Sequence, residues 1–505
     1  MYLTLSIPLA QESSPTSTEN IKVKSGLLRG ISDAGLTIYK GIPYAAAPVG
    51  ELRWRPPQRP AAWSDTFTAD AFGPSCPQIA PPYRPVPLGD ISEDCLTLNI
   101  WTPATSNSQP LPVMVWIHGG SYTSGAGTWP TYDGTFFAQN GIVLVTINYR
   151  LGHLGFFAHP ALSKAQSDEP LGNYGLLDQI AALEWVQRNI AAFGGDPNNV
   201  TIFGESAGGG SVNFLMVSPA AKGLFHGAIS QSGISGMMID RHLTESRGGK
   251  PSMEAFGQDV AARLGIEDGP DTVARLRALS IDQLLSVDHP PELRTGPAVD
   301  GDIVPDSVGL LFARGMQLNV PYIAGSNSWE GALAMGDRSA LPDFFGGNDM
   351  STIESIYRQM EEPDLKQAWY GDITFLGPAR YLVTQMKNVT APSYFYHFSY
   401  LTESQRGKFP GVRHGGELAY VFGTLPNSEG GAPARDVEMS RSINAYWVAF
   451  AKTGNPNGDD RPIWPIYTRD KNAHLEFSDT IESRRHLFKE RLDFHERQYE
   501  ILIID

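Results

Sequence analysis

The sequence predicts an α/β fold in which a large, mostly parallel sheet is flanked by helices. Three short apolar runs are rich in β-branched residues: "VMVWI" at residues 113–117, "IVLVTI" at 142–147 and "VTIF" at 200–203. Continuous apolar runs of this length are typical of strands buried on both faces. A loop of polar or small residues follows each run. Strands that alternate with helical segments in this way indicate an α/β sheet.

One helix is predicted between the second and third runs. The apolar residues of this segment recur with the spacing of one helical face: Leu176, Leu177, Ile180, Leu183, Val186 and Ile190. Gly194 and Gly195 follow them, and Pro197 cannot continue a helix. The sequence therefore predicts a helix that ends before Gly194 and leads into the strand at residues 200–203.

The composition excludes several classes of protein. Of 505 residues, 41% are hydrophobic and 10% aromatic, as in a compact globular protein. The 54 acidic and 39 basic residues give a net charge of −15, which repels nucleic acid and anionic lipid. No uninterrupted apolar run approaches the roughly 18 residues of a membrane span. We expect a soluble protein that binds neither nucleic acid nor membranes.

The N-terminal segment and the two cysteines bear on export. "MYLTLSIPLAQ" resembles the end of a signal peptide's apolar region but lacks its positive start. Residues 1–20 are therefore predicted to be a flexible lead-in or a signal-peptide remnant, with a single domain over residues 21–505. Cys76 and Cys95 could form a disulfide in an oxidising compartment or remain two free thiols. Their spacing leaves both readings open.

A serine between two glycines follows the third apolar run. Gly204-Glu205-Ser206-Ala207-Gly208 has the pattern G-x-S-x-G, which is typical of a sharp strand-to-helix turn that exposes the serine oxygen. A Cβ at either glycine would collide with the neighbouring strand and helix. An alcohol is a weak nucleophile at neutral pH, so Ser206 needs a base, and the base needs an orienting carboxylate.

Donors for a developing oxyanion are predicted after the first run. His118-Gly119-Gly120-Ser121 resembles the HGGG-type loop, whose backbone N–H groups act together with that of the residue after the nucleophile. The donors would be Gly120, Ser121 and Ala207. Ser121 replaces a third glycine and restricts the backbone there, and an ordinary glycine turn is the alternative reading.

Taken together, these motifs resemble the type B carboxylesterase family, the α/β-hydrolases that include the cholinesterases. The likeness runs from about residue 40 to about residue 464 and rests on segments that occur in family order: "KGIPYAAAPVGELRWRPPQ", "SEDCLTLNIWTP", "NYRLGHLGFF", "FGGDPNNVTIFGESAGG", "PAVDG" and "FAKTGNPN". The resemblance implies an α/β-hydrolase fold with a large, mostly parallel twisted central sheet and long insertions around an active-site gorge.

The resemblance also implies the partners of Ser206. "VPYIAGSNSWEG" supplies Glu330 as the acid, and "GVRHGGELAYVFG" supplies His414 as the base. Ser206, Glu330 and His414 follow the chain order expected for the fold. Glu205 and Ser232 match positions that support the triad in relatives.

Other acids and histidines are alternatives to Glu330 and His414. Asp300 and Asp302, in "PAVDGDIVP", resemble a structural turn of the family. His397, in the alternating "YFYHFSY" segment, is predicted to pack within a strand, and His153 is predicted to be structural. His118 flanks the oxyanion loop.

The activity implied is hydrolysis of small to medium carboxylic esters through an acyl-enzyme, with no metal or cofactor. The alternatives are a hydrolase for one specialised ester, amide or thioester (feruloyl, lactone or toxin ester), or a non-catalytic binding relative. The loop between the cysteines has no tryptophan, which disfavours a cholinesterase. Cys76 and Cys95 match the family's first disulfide. That favours a secreted or periplasmic protein, with the cytoplasm left open.

Overall fold

The computed structural model describes most of the chain. The ranges described are residues 15–80, 88–104, 109–234, 241–247, 249–287, 295–334, 350–358, 360, 364–425, 432–458 and 460–504. The predicted lead-in, residues 1–20, is therefore described only from residue 15, and there Thr16–Ser17 already forms a strand.

Fifteen strands lie in the described part of the chain. They are β1 (Thr16–Ser17), β2 (Ile21–Val23), β3 (Gly26–Arg29), β4 (Ile31–Asp33), β5 (Leu36–Pro43), β6 (Phe67–Thr68), β7 (Thr97–Pro103), β8 (Leu111–Ile117), β9 (Val143–Ile147), β10 (Gly195–Glu205), β11 (Gly227–Gln231), β12 (Tyr322–Asn327), β13 (Ser393–Phe398), β14 (Ala473–Phe477) and β15 (Ile481–Arg485).

The helices are distributed along the chain between these strands. They are α1 (Thr135–Gln139), α2 (Gly152–Gly155), α3 (Pro160–Ala165), α4 (Tyr174–Asn189), α5 (Ala207–Val217), α6 (Met253–Arg263), α7 (Thr272–Arg277), α8 (Ile281–Leu285), α9 (Val308–Ala313), α10 (Met350–Ile356), α11 (Asp364–Gly371), α12 (Gly377–Gln385), α13 (Leu418–Phe422), α14 (Ala434–Thr453) and α15 (Lys489–Ile504). A π-helical turn, Asp372–Leu376, joins α11 to α12.

Twelve of the described strands form one large sheet, in the order β1-β4-β5-β7-β9-β8-β10-β11-β12-β13-β14-β15. Pairing is parallel from β9 through β14 and antiparallel at both ends. Strands β2, β3 and β6 form a small second sheet. The predicted large, mostly parallel sheet is confirmed, and the antiparallel edges are an addition to it.

Both faces of the sheet are buried, as the uninterrupted apolar runs predicted. In β8, Val113, Val115 and Ile117 pack into the core on one face. Met114 and Trp116 pack into the core on the other face. Neighbouring side chains of a strand point to opposite faces, so a strand covered on both sides must be apolar throughout.

The predicted helix before the third run is α4, and it is slightly shorter than its apolar pattern. The α-helix ends at Asn189, and a 3₁₀ turn continues to Phe193. Gly194 then adopts a left-handed conformation with φ 79°, which glycine reaches without a steric penalty. The following strand begins at Gly195 and includes Pro197, so β10 is longer than the run that predicted it.

Cys76 and Cys95 form a disulfide, with their Cα atoms 5.1 Å apart. Both residues are buried in the larger core. Among the residues that the structure describes, no helix combines the length and apolar character that crossing a membrane requires.

The disulfide is expected to contribute substantially to stability. It closes a loop with a sequence separation of 19. Losing the constraint on the unfolded chain should cost roughly 3 kcal/mol. The double variant Cys76→Ala/Cys95→Ala should therefore unfold at lower urea concentration than the oxidised wild type, and addition of reductant should affect only the wild type. A difference below about 1 kcal/mol would contradict the loop-closure argument.

Candidate active site

Ser206 occupies a sharp turn between β10 and α5. Its backbone has φ 59° and ψ −123°, a conformation that non-glycine residues rarely adopt. A Cβ at Gly204 would lie 2.5 Å from the Gly208 carbonyl carbon, and one at Gly208 would lie 2.0 Å from the Ile117 oxygen. The two glycines thus allow the turn to pack against the end of β8, which is the role predicted from the sequence.

Helix α5 begins at Ala207, the residue after Ser206. The first N–H groups of a helix have no partner one turn earlier, and they lie at the positive end of the helix dipole. The Ala207 N–H is therefore a suitable donor to negative charge that develops beside Ser206.

The loop after β8 packs directly against this turn. A Cβ at Gly119 would lie 3.0 Å from the Ser206 Cβ. Gly120 has φ 112°, and its carbonyl accepts from the Ser124 N–H at 3.0 Å, which closes the turn. Ser121 also has positive φ, at 56°. The serine in the third position therefore holds a backbone conformation that a glycine would adopt with less strain.

His414 lies on the loop between β13 and α13, in contact with two carboxylates. Its Nδ1 is 2.6 Å from Glu330 Oε2. Its Nε2 is 3.1 Å from Oε1 of Glu205, the residue before Ser206. The Phe375 ring of the π-helical turn packs on the imidazole, with 4.7 Å between centroids. His414 thus contacts Glu330, the predicted acid, on one side and the turn that holds Ser206, the predicted nucleophile, on the other.

Glu330 follows β12 and is held by two donors. The Ser232 hydroxyl donates to its Oε1 at 2.5 Å, and the Asn327 N–H donates to the same oxygen at 2.8 Å. Oε2 is left for His414. Ser232 therefore has the supporting position that was expected of it, while Asn327 was not anticipated.

A third buried carboxylate, Glu417, was missed by sequence reasoning. It is fully buried and accepts from Asn327 Nδ2 at 2.6 Å and from Gln231 Nε2 at 3.0 Å. Burial raises the pKa of Glu417 above its ordinary value. The only signal for it was its place in "HGGEL", three residues after His414.

The surrounding charges set the protonation of His414. Burial lowers the pKa of the imidazole, but the carboxylates of Glu205 and Glu330 outweigh burial and raise the pKa to about 9. His118 behaves differently: burial lowers its pKa to about 4, so that imidazole is neutral. His118 Nδ1 lies 2.8 Å from the Gly119 oxygen, and its ring stacks on Tyr149.

The competing candidates take structural positions. His397 lies in β13 and pairs with Glu476, with 3.0 Å between Nδ1 and Oε2. His153 is buried in α2. The Asp300 carboxylate accepts from the N–H groups of Asp302 and Val304 in a turn.

The chain is similar to known esterases in both sequence and structure. The model of the carboxylesterase family matches residues 17–362 and 352–495. A fumonisin B1 esterase of Sphingopyxis macrogoltabida is 36% identical over 88% of this chain and 84% of its own length. A para-nitrobenzyl esterase of Bacillus subtilis (strain 168) is 36% identical over 93% of this chain and 98% of its own. A solved structure of a PNB esterase, 33% identical, superposes with a TM-score of 0.78 over 95% of this chain and 99% of that one.

Proposed function

We propose that this chain, which belongs to the carboxylesterase family and is a carboxylic ester hydrolase of the α/β-hydrolase fold, works through a catalytic triad. The proposed triad residues are Ser206, His414 and Glu330. The observation that carries the proposal is the 2.6 Å contact between His414 Nδ1 and Glu330 Oε2. His414 Nε2 also lies 3.1 Å from Oε1 of Glu205, the residue before Ser206, and Ser206 is held in a strained strand-to-helix turn.

In the proposed reaction, His414 Nε2 takes the proton of Ser206 as Oγ attacks the ester carbonyl carbon. Glu330 keeps the proton on Nδ1 and stabilises the imidazolium. His414 then gives the proton to the leaving alcohol, and an acyl-enzyme forms. A water molecule repeats the sequence on the acyl-enzyme and releases the carboxylic acid, which regenerates Ser206.

The N–H groups of Gly120, Ser121 and Ala207 are proposed as the oxyanion hole. The proposal is supported by the packing of Gly119 against Ser206 and by the position of Ala207 at the start of α5. Such donors act where the negative charge develops, and one of them typically contributes about 10²- to 10³-fold in rate.

The substrates are proposed to be small to medium carboxylic esters. Hydrolysis of one specialised ester is the second candidate, because the fumonisin B1 esterase is among the relatives that cover most of this chain. The disulfide supports export to an oxidising compartment, secreted or periplasmic.

A series of p-nitrophenyl esters from acetate to laurate tests the substrate proposal, with a matched anilide and thioester beside each ester. We expect rapid hydrolysis of the shorter esters and much slower cleavage of the anilides. The general ester-hydrolase proposal is wrong if the protein hydrolyses only the thioesters or the anilides. It is also wrong if the folded protein hydrolyses none of these compounds.

The rate should depend on pH through His414. Only the neutral imidazole can accept the serine proton, so kcat/KM should rise with pH through an ionisation near 9. Glu205→Gln removes a negative charge 3.1 Å from Nε2. The imidazolium is then less stabilised, so the pKa falls and the rising limb of the profile moves to lower pH. The measurement is kcat/KM between pH 5 and pH 10 for both proteins.

Glu184→Gln is the matched control, because Glu184 is an exposed carboxylate that pairs with Arg188 on α4. It should leave the profile unchanged. The electrostatic account is wrong if Glu205→Gln leaves the rising limb in place or moves it to higher pH.

A further inference from the structure

The loops that carry Glu330 and His414 are joined along their backbones. Trp329 and Arg413 form a parallel β-bridge, in which the Trp329 N–H donates to the Val412 oxygen at 2.9 Å. Asn327 Nδ2 donates to the Arg413 oxygen at 3.0 Å. The residues immediately before the acid and the base are therefore held side by side.

The side chains at this bridge form a second contact between the loops. The guanidinium carbon of Arg413 lies 4.0 Å from the Phe409 ring centroid and 5.4 Å from the Trp329 ring centroid. Trp329 is fixed in turn, because its Nε1 donates to Gln367 Oε1 of α11 at 2.6 Å. A guanidinium over aromatic faces is attracted by the ring quadrupoles and restrains both partners.

Contacts on consecutive residues thus connect the same two loops. Trp329 meets Arg413, and the next residue of each loop, Glu330 and His414, forms the 2.6 Å pair. A shift of one loop along the other would disturb both contacts together. Pre-organised groups lose rate steeply with displacement, since a shift of about 1 Å can cost about 10²-fold.

Resting on the triad proposed above, we propose that Arg413 is a positioning residue: its place over the Phe409 and Trp329 rings sets the contact between His414 and Glu330. Arg413 acts through the loops and does not touch the reacting atoms. Nothing in the G-x-S-x-G, oxyanion-loop or HGGEL patterns specifies an arginine at this place.

The test separates positioning from charge by the sign of the pKa change. If Arg413 acted only as a nearby positive charge, removing it would relieve repulsion of the imidazolium and raise the pKa of His414. If Arg413 positions the loops, removing it weakens the contact with Glu330 and lowers that pKa. Arg413→Lys keeps the charge but not the planar stack, and Phe409→Ala keeps the arginine but removes one ring.

We expect Arg413→Gln, Arg413→Lys and Phe409→Ala each to lower kcat for a p-nitrophenyl ester at least about fivefold. Their kcat/KM profiles should rise at lower pH than that of the wild type. Arg413 is exposed and Phe409 is only partly buried, so these proteins should fold. Arg406→Ala is the matched control: Arg406 lies in the same loop, over the Tyr400 ring at 6.0 Å and paired with Asp479, and its loss should change neither quantity.

A spectroscopic measurement keeps this test independent of turnover. The proton that His414 Nδ1 shares with Glu330 should give a far-downfield NMR resonance in the wild type and the Arg406→Ala control. That resonance should weaken or shift in Arg413→Gln and Phe409→Ala. The positioning role is overturned if the resonance is unchanged and kcat stays within twofold of the wild type. It is also overturned if the pKa of His414 rises in Arg413→Gln, which loses the charge, and does not change in Arg413→Lys and Phe409→Ala, which keep it. Failure of the triad itself would show separately, as full activity of Ser206→Ala.

Discussion

Replacing Ser206 with alanine is expected to lower kcat for p-nitrophenyl ester hydrolysis by about 10⁴-fold or more. Alanine leaves no oxygen to form the acyl-enzyme, so only the proposed oxyanion donors and substrate binding would remain. The positive φ of Ser206 is the main structural concern, but alanine is no larger than serine and leaves the glycine contacts of the turn unchanged.

Unfolding temperature is the control for this variant, and it should match that of the wild type. A folded Ser206→Ala protein that keeps more than about a tenth of the wild-type kcat would contradict Ser206 as the nucleophile.

Glu330→Gln should be almost as damaging, with a loss of about 10³- to 10⁴-fold in kcat. Oε1 of Glu330 accepts from the Asn327 N–H and the Ser232 hydroxyl, so the glutamine carbonyl should take that place. The amide NH₂ then faces His414 Nδ1, which must become an acceptor. The proton moves to Nε2, and Nε2 can no longer accept the proton of Ser206.

Two comparisons make the Glu330→Gln result specific. Ser232→Ala removes one donor to Oε1 but keeps the carboxylate, so its loss of kcat should be far smaller. Hydroxylamine or other strong external nucleophiles should not restore the variant, because the defect lies in proton acceptance from Ser206. A Glu330→Gln protein within tenfold of the wild-type kcat would mean that another group orients His414.

Much of the sheet was predictable because its pattern is local. The runs that became β8, β9 and β10 had to be apolar on both faces, and β8 and β10 carry candidate site residues just after their carboxyl ends. The strand-to-helix turn at Ser206 was predictable because its pattern is also local. Its two required glycines, Gly204 and Gly208, lie within two residues of Ser206.

What the sequence did not reveal depends on contacts between distant segments. Asn327 donates both to Glu330 and to Glu417, across 90 positions of chain in the second case. Nothing local distinguishes Glu417 from an exposed glutamate. The stacking of Arg413 on Trp329 likewise depends on where two loops meet after folding. The Glu330 and His414 assignments came from family resemblance, because neither spacing nor composition links them to Ser206.

The most direct test of the proposed mechanism is covalent labelling of Ser206, the proposed nucleophile. The wild-type protein would be treated with a fluorophosphonate, and its intact mass and peptides measured alongside the Ser206→Ala protein. The proposed triad predicts one adduct per chain, located on Ser206, with ester hydrolysis lost in proportion to labelling, and no adduct in the variant. An adduct on another residue, or complete labelling that leaves hydrolysis intact, would contradict the assignment of Ser206 as the nucleophile.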